Sequence, residues 1–310
     1  MNKQNLLVFI ILLSCVTLTG CQQSARTPKS LQTIRVLAVE PFLADITQNV
    51  AGDRFKIESL VPIGLDPHAF EPTPQDVAKI ANSEILIING AGLETWLKPT
   101  LENAGGSRTV IVTSKGLTSR IPHPGEVADS TAATETDPHF WLDPTRVITY
   151  VENIRDGFII ADPSGESTYR QNTETYILSL KELDAWIAQQ VVQIPSQKRL
   201  LVTNHESLGY FADRYDFKIV GTIIPSVNTD ASPSAKQLAA LIQQIRSSGA
   251  VAIFLESDAN PLLAKQIAAE TGVKVITDLY THSITPKNGE APTYITMMKA
   301  DTMKIVSALK

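Results

Sequence analysis

Residues 164–194 read SGESTYRQNTETYILSLKELDAWIAQQVVQI, and this stretch separates two similar halves of the chain. No proline or glycine occurs from residue 166 to residue 194, and Pro195 follows directly. Apolar residues recur along it at helical spacing, at Tyr169, Tyr176, Leu180, Leu183, Ile187 and Val191. The pattern predicts one helix of about 40 Å. Such a helix either connects two lobes or lies buried within one domain, and its central position favours the connecting role.

Strand-like runs alternate with helical patterns on both sides of this stretch. The predicted strands are 34–39, 57–61, 84–88 and 109–112 before it, and 199–203, 217–223, 251–255 and 273–277 after it. This alternation is typical of a parallel sheet with helices on both faces. The predicted fold class is therefore α/β, with two lobes, each a parallel sheet flanked by helices, joined by one long connecting helix.

Several helix starts follow from capping residues and prolines. Thr73-Pro74 and Asp143-Pro144 each place a capping side chain before a proline in the first turn. By the same reasoning we expect helices to begin near 230–233 and near Asn260-Pro261, and a last helix over 294–309.

Four of the five histidines lie in loops beyond predicted strands. His68 and His139 each follow an Asp-Pro pair, and a proline keeps its neighbourhood out of helical geometry, so turns are expected there. His205 and His282 come just past strands of the second half. Ligands of parallel sheets bind beyond the carboxyl ends of the strands. The sequence therefore predicts a site of four imidazole nitrogens in a cleft between the lobes.

His123 lies between two prolines in the polar segment 118–136. Because this segment has no apolar period, it is expected to be a surface loop. We expect His123 to be solvated rather than a ligand.

The first 20 residues carry one charge, Lys3, before a short apolar run and the sequence Leu18-Thr19-Gly20-Cys21. The run is shorter than the roughly 20 apolar residues of a membrane span, which favours a secretory signal. The final four residues are similar to a bacterial lipobox, which predicts lipidation of Cys21 after cleavage. Residues 21–30 would then form a polar tether, and an ordinary signal with a chance cysteine is the alternative.

Composition limits the remaining possibilities. Only Cys15 and Cys21 are present, so the processed chain can form no internal disulfide and must be stabilised by a core. The net charge of −5 becomes one unit more negative when Lys3 is removed. An acidic chain of this kind argues against a nucleic-acid partner.

Five segments together resemble the zinc- and manganese-binding solute-binding proteins of ABC transporters. They are the lipobox, Asp66-Pro67-His68-Ala69-Phe70-Glu71-Pro72-Thr73-Pro74, Asp137-Pro138-His139-Phe140-Trp141-Leu142-Asp143-Pro144, Asn204-His205-Glu206-Ser207-Leu208-Gly209-Tyr210-Phe211 and Phe254-Leu255-Glu256-Ser257. The resemblance covers nearly the whole mature chain. It implies two α/β lobes joined by a rigid helix, a metal held between them by His68, His139 and His205, and a permease that receives it.

The resemblance leaves the fourth ligand open. Members of this family commonly have an aspartate in the segment that here contains His282. His282 is the preferred ligand, since imidazole is a competent one, and Asp278 is the alternative. Glu256 is expected to hold an imidazole by its other nitrogen or to offset the charge of the cation, unless it is an ordinary acidic residue at a strand end.

Four nitrogen ligands suit tetrahedral zinc, whereas manganese prefers carboxylates, so zinc is the expected metal and manganese the alternative. The family's zinc members often carry a long histidine-rich loop, and the single histidine of segment 118–136 gives zinc no such support.

A secreted zinc hydrolase is the alternative from another functional class, but it would need an open coordination position. An adhesin role, raised by the names of some family members, has no separate sequence feature here.

The expected organisation is a signal peptide at 1–20, a tether at 21–30, an N-terminal lobe at 31–163, the connecting helix at 164–194 and a C-terminal lobe at 195–310. We expect a non-enzymatic monomer, lipid-anchored outside the bacterial cytoplasmic membrane at the cell surface or in the periplasm. Its expected partners are the membrane and the permease of a metal importer.

Overall fold

The chain folds around two parallel four-stranded sheets that share one topology. The computed structural model describes residues 34–121, 123 and 136–310. Within these residues the four strands of each sheet lie in the order second, first, third and fourth along the chain, and every neighbouring pair is parallel. The predicted α/β class is confirmed. The predicted signal peptide and the predicted tether with Cys21 lie outside the described residues.

The first lobe contains the first sheet and the elements that alternate with it. In chain order these are β1 (Val36–Ala38), α1 (Pro41–Ala51), β2 (Ile57–Ser59), α2 (Pro74–Asn82), β3 (Ile85–Ile88), α3 (Leu97–Ala104), β4 (Thr109–Val112) and α4 (Pro144–Ala161). Helix α2 begins as predicted, because Thr73 and Asp76 form a capping box and Pro74 occupies the first turn. Asp143 caps α4 by accepting a hydrogen bond from the Thr145 backbone N–H.

The second lobe repeats this plan. Its elements are β5 (Leu200–Thr203), α6 (Gly209–Tyr215), β6 (Lys218–Thr222), α7 (Ala235–Ser248), β7 (Ala252–Glu256), α8 (Leu262–Thr271), β8 (Lys274–Leu279) and α9 (Tyr294–Leu309). The expected start of α7 at 230–233 is wrong. The helix begins later because Ser234 caps it, accepting from Gln237 N while the Gln237 side chain accepts from Ser234 N.

Helix α5 (Glu166–Val191) joins the two lobes and is 26 residues long. All six apolar residues of the predicted stripe are buried, together with Thr173. One continuous hydrophobic cluster contains this face of α5 and strand residues from both sheets, for example Ile85 and Leu201. Helices α4 and α9 pack along α5. The connecting helix is therefore held inside a shared core, which opposes bending at the junction.

Within the described ranges, no helix is long and apolar enough to cross a membrane.

Stability should depend on the buried face of α5 and hardly at all on its outer face. Leu180 is 0% exposed, whereas Leu178, on the same helix, is 61% exposed. Leu180→Ala should lower the free energy of unfolding by about 2–5 kcal/mol, because it leaves a cavity in the shared core. Leu178→Ala is the matched control and should stay within about 0.5 kcal/mol of the parent. Urea denaturation measures both, and equal losses would contradict the position assigned to the helix.

Candidate metal centre

The four histidines predicted as ligands meet at one point, two from each lobe. His139 Nε2 lies 3.1 Å from His68 Nε2, 3.2 Å from His205 Nε2 and 3.4 Å from His282 Nε2. In a tetrahedral zinc site with metal–nitrogen bonds of about 2.0–2.1 Å, the ligand nitrogens are about 3.3–3.4 Å apart. None of the four residues is more than 3% exposed. The cluster thus has the dimensions of a closed tetrahedral site.

Loops, not helices or strands, carry all four rings. In each Asp-Pro-His motif the aspartate accepts a hydrogen bond from the backbone N–H of the histidine, Asp66 from His68 at 2.8 Å and Asp137 from His139 at 3.0 Å. This local turn is the reason that the motif projects its imidazole away from the backbone of the loop.

The other ring nitrogens of His68 and His139 contact oxygen acceptors. His68 Nδ1 is 3.1 Å from Asn228 Oδ1, and His139 Nδ1 is 2.9 Å from Asp137 Oδ1. An oxygen acceptor at Nδ1 keeps the proton on that nitrogen, and the lone pair then lies on Nε2. Both imidazoles are consequently held in the tautomer that can bind a cation at the common point.

Glu256 contacts the third ring. One carboxylate oxygen of Glu256 lies 3.0 Å from His205 Nδ1 and also accepts a hydrogen bond from Ser207 Oγ at 3.0 Å. Burial disfavours the charged form of Glu256, yet the neighbouring His205 and His282 bring its pKa below the ordinary value. The residue is therefore a buried carboxylate that lies beside an imidazole, and its role in metal binding stays a prediction.

His282 has no close carboxylate behind its ring. Its Nδ1, like that of His205, makes no hydrogen bond, but the nearest carboxylate, that of Asp258, is 3.8 Å away, whereas Glu256 lies 3.0 Å from His205 Nδ1. Burial lowers the pKa of His282, but Asp258, Asp66 and Glu256 outweigh burial and raise it above the ordinary value. The ring is thus surrounded by negative charge on the side away from the other histidines.

The pKa values of two histidines favour the neutral, metal-binding form. Burial, with repulsion from His282 and His205, lowers the pKa of His68 to about 3. Burial also places the pKa of His139 well below its ordinary value. Neutral imidazoles need not lose a proton before a cation binds.

The remaining predicted residues lie apart from the cluster. Asp278 is exposed, accepts a hydrogen bond from Thr277 Oγ1, and belongs to neither group of ligand-type residues found among the described residues. His123 is largely exposed, with its Nε2 3.2 Å from Asp213 Oδ1. Cys21 lies outside the described residues.

Hydrogen bonds between the lobes fix the loops that carry the histidines. Trp141, two residues after His139 and completely buried, donates from Nε1 to the Thr281 carbonyl at 2.7 Å. Gly64 N donates to Ser283 Oγ at 2.9 Å. Both bonds reach the neighbours of His282, so the two halves of the cluster are tied together on either side of that residue.

Sequence reasoning missed Asn228 and Asp258, which contact rings of distant segments. Asn228 is 160 positions from His68 along the chain. No local pattern marks Asn228, because its contact with His68 exists only when the lobes meet, whereas Asp258 follows β7 in the same lobe as His282. Asp137 is different, since the repeated Asp-Pro-His triplet was a signal for its part in holding His139.

Taken together, the fold and the cluster define a two-lobed metal-binding protein. Residues 36–308 match the family described as zinc-uptake complex component A, periplasmic (ZnuA). The chain belongs to this family of substrate-binding proteins of metal ABC transporters.

The chain is 31% identical to the manganese-binding lipoprotein MntA of Halalkalibacterium halodurans, over 97% of each chain. Among solved structures, it resembles a Mn-bound periplasmic metal binding protein from Candidatus Liberibacter asiaticus, with 29% identity and a TM-score of 0.78, covering 89% of this chain and 99% of that one. The periplasmic zinc binding protein TroA of Treponema pallidum has 26% identity and a TM-score of 0.79 over the same shares.

A buried acid supports the loop that leads to His282. Asp301 of α9 is 4% exposed and accepts a hydrogen bond from Tyr280 N at 2.9 Å, while its other oxygen has no partner. Burial raises the pKa of Asp301 to about 7. The folded state therefore retains a proton that the unfolded state releases near pH 4, and stability decreases as the pH rises from about 4 to above 7.

Asp301→Asn should raise the free energy of unfolding at pH 8 by on the order of 3 kcal/mol, because the amide carbonyl still accepts from Tyr280 N without a buried charge. Below pH 4 the difference should disappear, since the carboxyl is then protonated in both states. Urea denaturation of chelator-treated protein at the two pH values measures the effect, with the exposed residue Asp230 changed to Asn as the control. A gain of the same size at both pH values would contradict this explanation.

Proposed function

We propose that this protein captures one divalent transition-metal cation outside the cytoplasmic membrane and delivers it to an ABC permease for import. The observation that carries the proposal is the convergence of four Nε2 atoms, with His139 Nε2 3.1–3.4 Å from the other three. His68, His139, His205 and His282 are the ligands. The cation is cargo, so it must bind tightly in the cleft and be released again at the permease.

Zinc is the preferred cargo. Four neutral nitrogens in a closed tetrahedral arrangement match its coordination, and zinc binds a nitrogen site more tightly than manganese does at equal geometry. The family description and the TroA name, both of which mention zinc, are consistent with this choice.

Manganese is the second candidate because several lipoprotein relatives, including MntA, are named for manganese. A manganese ion prefers oxygen ligands and a larger coordination number. To bind here it would need oxygen atoms in addition to the four imidazoles, and Asp66 is the half-buried carboxylate that lies with His282 in the second group of ligand-type residues. Opening of the cluster would be required for such a contact.

A hydrolase function has less support. A catalytic zinc keeps one coordination position for water, whereas four imidazoles complete the tetrahedron. The match to a family of solute-binding proteins points in the same direction.

The mature chain is attached to the membrane by a lipid on Cys21 and acts outside the cytoplasm. The sequence Leu18-Thr19-Gly20-Cys21 supports this anchor. So do the relatives named as lipoproteins. The tether of residues 21–30 lets the folded body meet the permease while it stays at the surface.

The cargo can be identified directly. Metal analysis of protein purified without added metal should find one zinc per chain, and zinc should displace manganese in competition. Thermal melting should shift upward with zinc by more than with manganese at the same concentration, because a ligand that binds only the folded state stabilises it. A larger shift with manganese would reverse the metal assignment, and no shift with either would refute metal capture.

Two substitutions identify the fourth ligand. His282→Ala should weaken zinc affinity by at least about 100-fold, since losing only the outer partner of a ligand already costs about 10–100-fold. Asp278→Asn should change the affinity by less than about 2-fold, because this carboxylate lies outside the cluster. Asparagine suits the backbone φ of 70° at this position, so the control keeps the fold. Competition with a zinc chelator measures both, and a large loss only in Asp278→Asn would give the role to Asp278.

A further inference from the structure

A second group of ligand-type atoms lies next to the four-histidine cluster. Asp66, Asp258 and His282 each offer one atom, and these atoms lie within 4.8 Å of one another. The atom of His282 on this side is Nδ1, which is buried, has no hydrogen-bond partner and lies 3.8 Å from Asp258 Oδ2. That separation is too long for a hydrogen bond. It is a few tenths of an ångström longer than the about 3.3–3.4 Å between two ligands of a tetrahedral zinc ion, so a small side-chain movement would let both atoms bind one cation.

The group is reached from a cleft of about 240 Å³ whose lining includes Asp66, Asn204, Thr229, Glu256 and Asp258. Asp66 and the Asp258 side chain, which is 16% exposed, line this cleft, whereas His282 is 3% exposed and does not line it. A cation that entered here would meet carboxylate oxygens first and an imidazole nitrogen last.

The charges at this place favour a cation. Asp66 accepts hydrogen bonds from His68 N at 2.8 Å and from the Thr229 hydroxyl, which fix its carboxylate near the ring of His282. Asp258 Oδ2 lies 3.8 Å from Nδ1 of the same ring. Two carboxylates therefore lie on this face of the ring, where they attract a cation.

We propose that Asp66, Asp258 and His282 Nδ1 form an outer cation site, through which the cargo passes on its way to and from the four Nε2 atoms. The proposal rests on the proposed function and adds a route to it. The imidazole of His282 belongs to both sites, by Nδ1 to the outer one and by Nε2 to the inner one.

The two sites exclude each other, because a neutral imidazole has one lone pair available for a metal ion. With the proton on Nε2, His282 binds a cation through Nδ1. When the cation moves inward, Nε2 gives up its proton to solvent and Nδ1 takes one from solvent, so the ring stays neutral. The chain therefore binds one cation at equilibrium. The outer site changes the rates at which this cation binds and dissociates.

The test compares zinc kinetics of the parent with those of Asp258→Asn. Association is followed by tryptophan fluorescence in a stopped-flow instrument, and dissociation by transfer of zinc to an excess of chelator. Asp258→Asn should slow association by about 10-fold, the lower end of what a charged entry site contributes. Dissociation should slow by a similar factor, because the cation leaves through the same site, and Kd should change by less than about 3-fold.

Glu71→Gln is the matched control. Glu71 is an exposed acid in a separate cavity that also borders His68, so the change removes the same charge beside the cluster without touching the outer site. It should alter both rates by less than about 2-fold. Asp258→Glu, which keeps a carboxylate, should restore most of the association rate that Asp258→Asn loses.

Two results would overturn the outer site. Equal effects of Asp258→Asn and Glu71→Gln would mean that Asp258 acts only through general attraction. Faster dissociation with unchanged association would mean that Asp258 merely orients His282. A parent protein that binds no zinc or manganese would instead refute the proposed function itself, which equilibrium titration of the parent tests separately.

Discussion

The structure depends on holding four imidazole lone pairs toward one point. His139 Nε2 lies only 3.1–3.4 Å from the other three Nε2 atoms, and lone pairs this close repel one another unless a cation lies between them. The arrangement persists without collapse because Asn228 and Asp137 hold two of the rings from behind, and Glu256 lies against the third. The outward-facing nitrogens are therefore as important to the cluster as the inward-facing ones.

The rest of the fold supplies the stiffness that this arrangement needs. Helix α5 lies in a hydrophobic cluster common to both sheets, so the lobes share one core. Trp141 joins them at the site, where its indole stacks on Phe42 with ring centroids 4.5 Å apart while its N–H reaches Thr281. Tyr294 of α9 donates to the Trp141 carbonyl at 2.6 Å. Misplacing any of these groups would move a histidine loop, which connects packing directly to cation binding.

Sequence patterns were sufficient to predict the two α/β lobes and the four loops that carry the histidines. They were insufficient to predict which residues contact the outer nitrogens of the imidazole rings. Alternating strands and helices, together with the rule that ligands gather at the carboxyl ends of parallel strands, brought His68, His139, His205 and His282 together correctly. The start of α7 was misjudged because two capping signals compete within a few residues, and the Ser234 capping box is the stronger. Asn228 contacts His68 across the cleft, and Asp258 lies near His282 at the end of the neighbouring strand, so no local periodicity reveals either contact.

The placement of negative charge explains how an all-nitrogen site can hold a divalent cation. No carboxylate belongs to the four-histidine group, and within the described residues the nearby acids lie behind its rings. Glu256 is ionised beside His205, Asp66 is ionised near His68 and His282, and burial raises the pKa of Asp137 to about 7. The four imidazoles thus favour zinc-like cations, as nitrogen ligands do. Carboxylates that contact the imidazoles, and not the ion itself, offset the charge of the cation. With His282 in the fourth position, the charge that a ligating carboxylate would supply comes from Asp66 and Asp258 on the solvent side of the ring, where it also attracts the incoming cation.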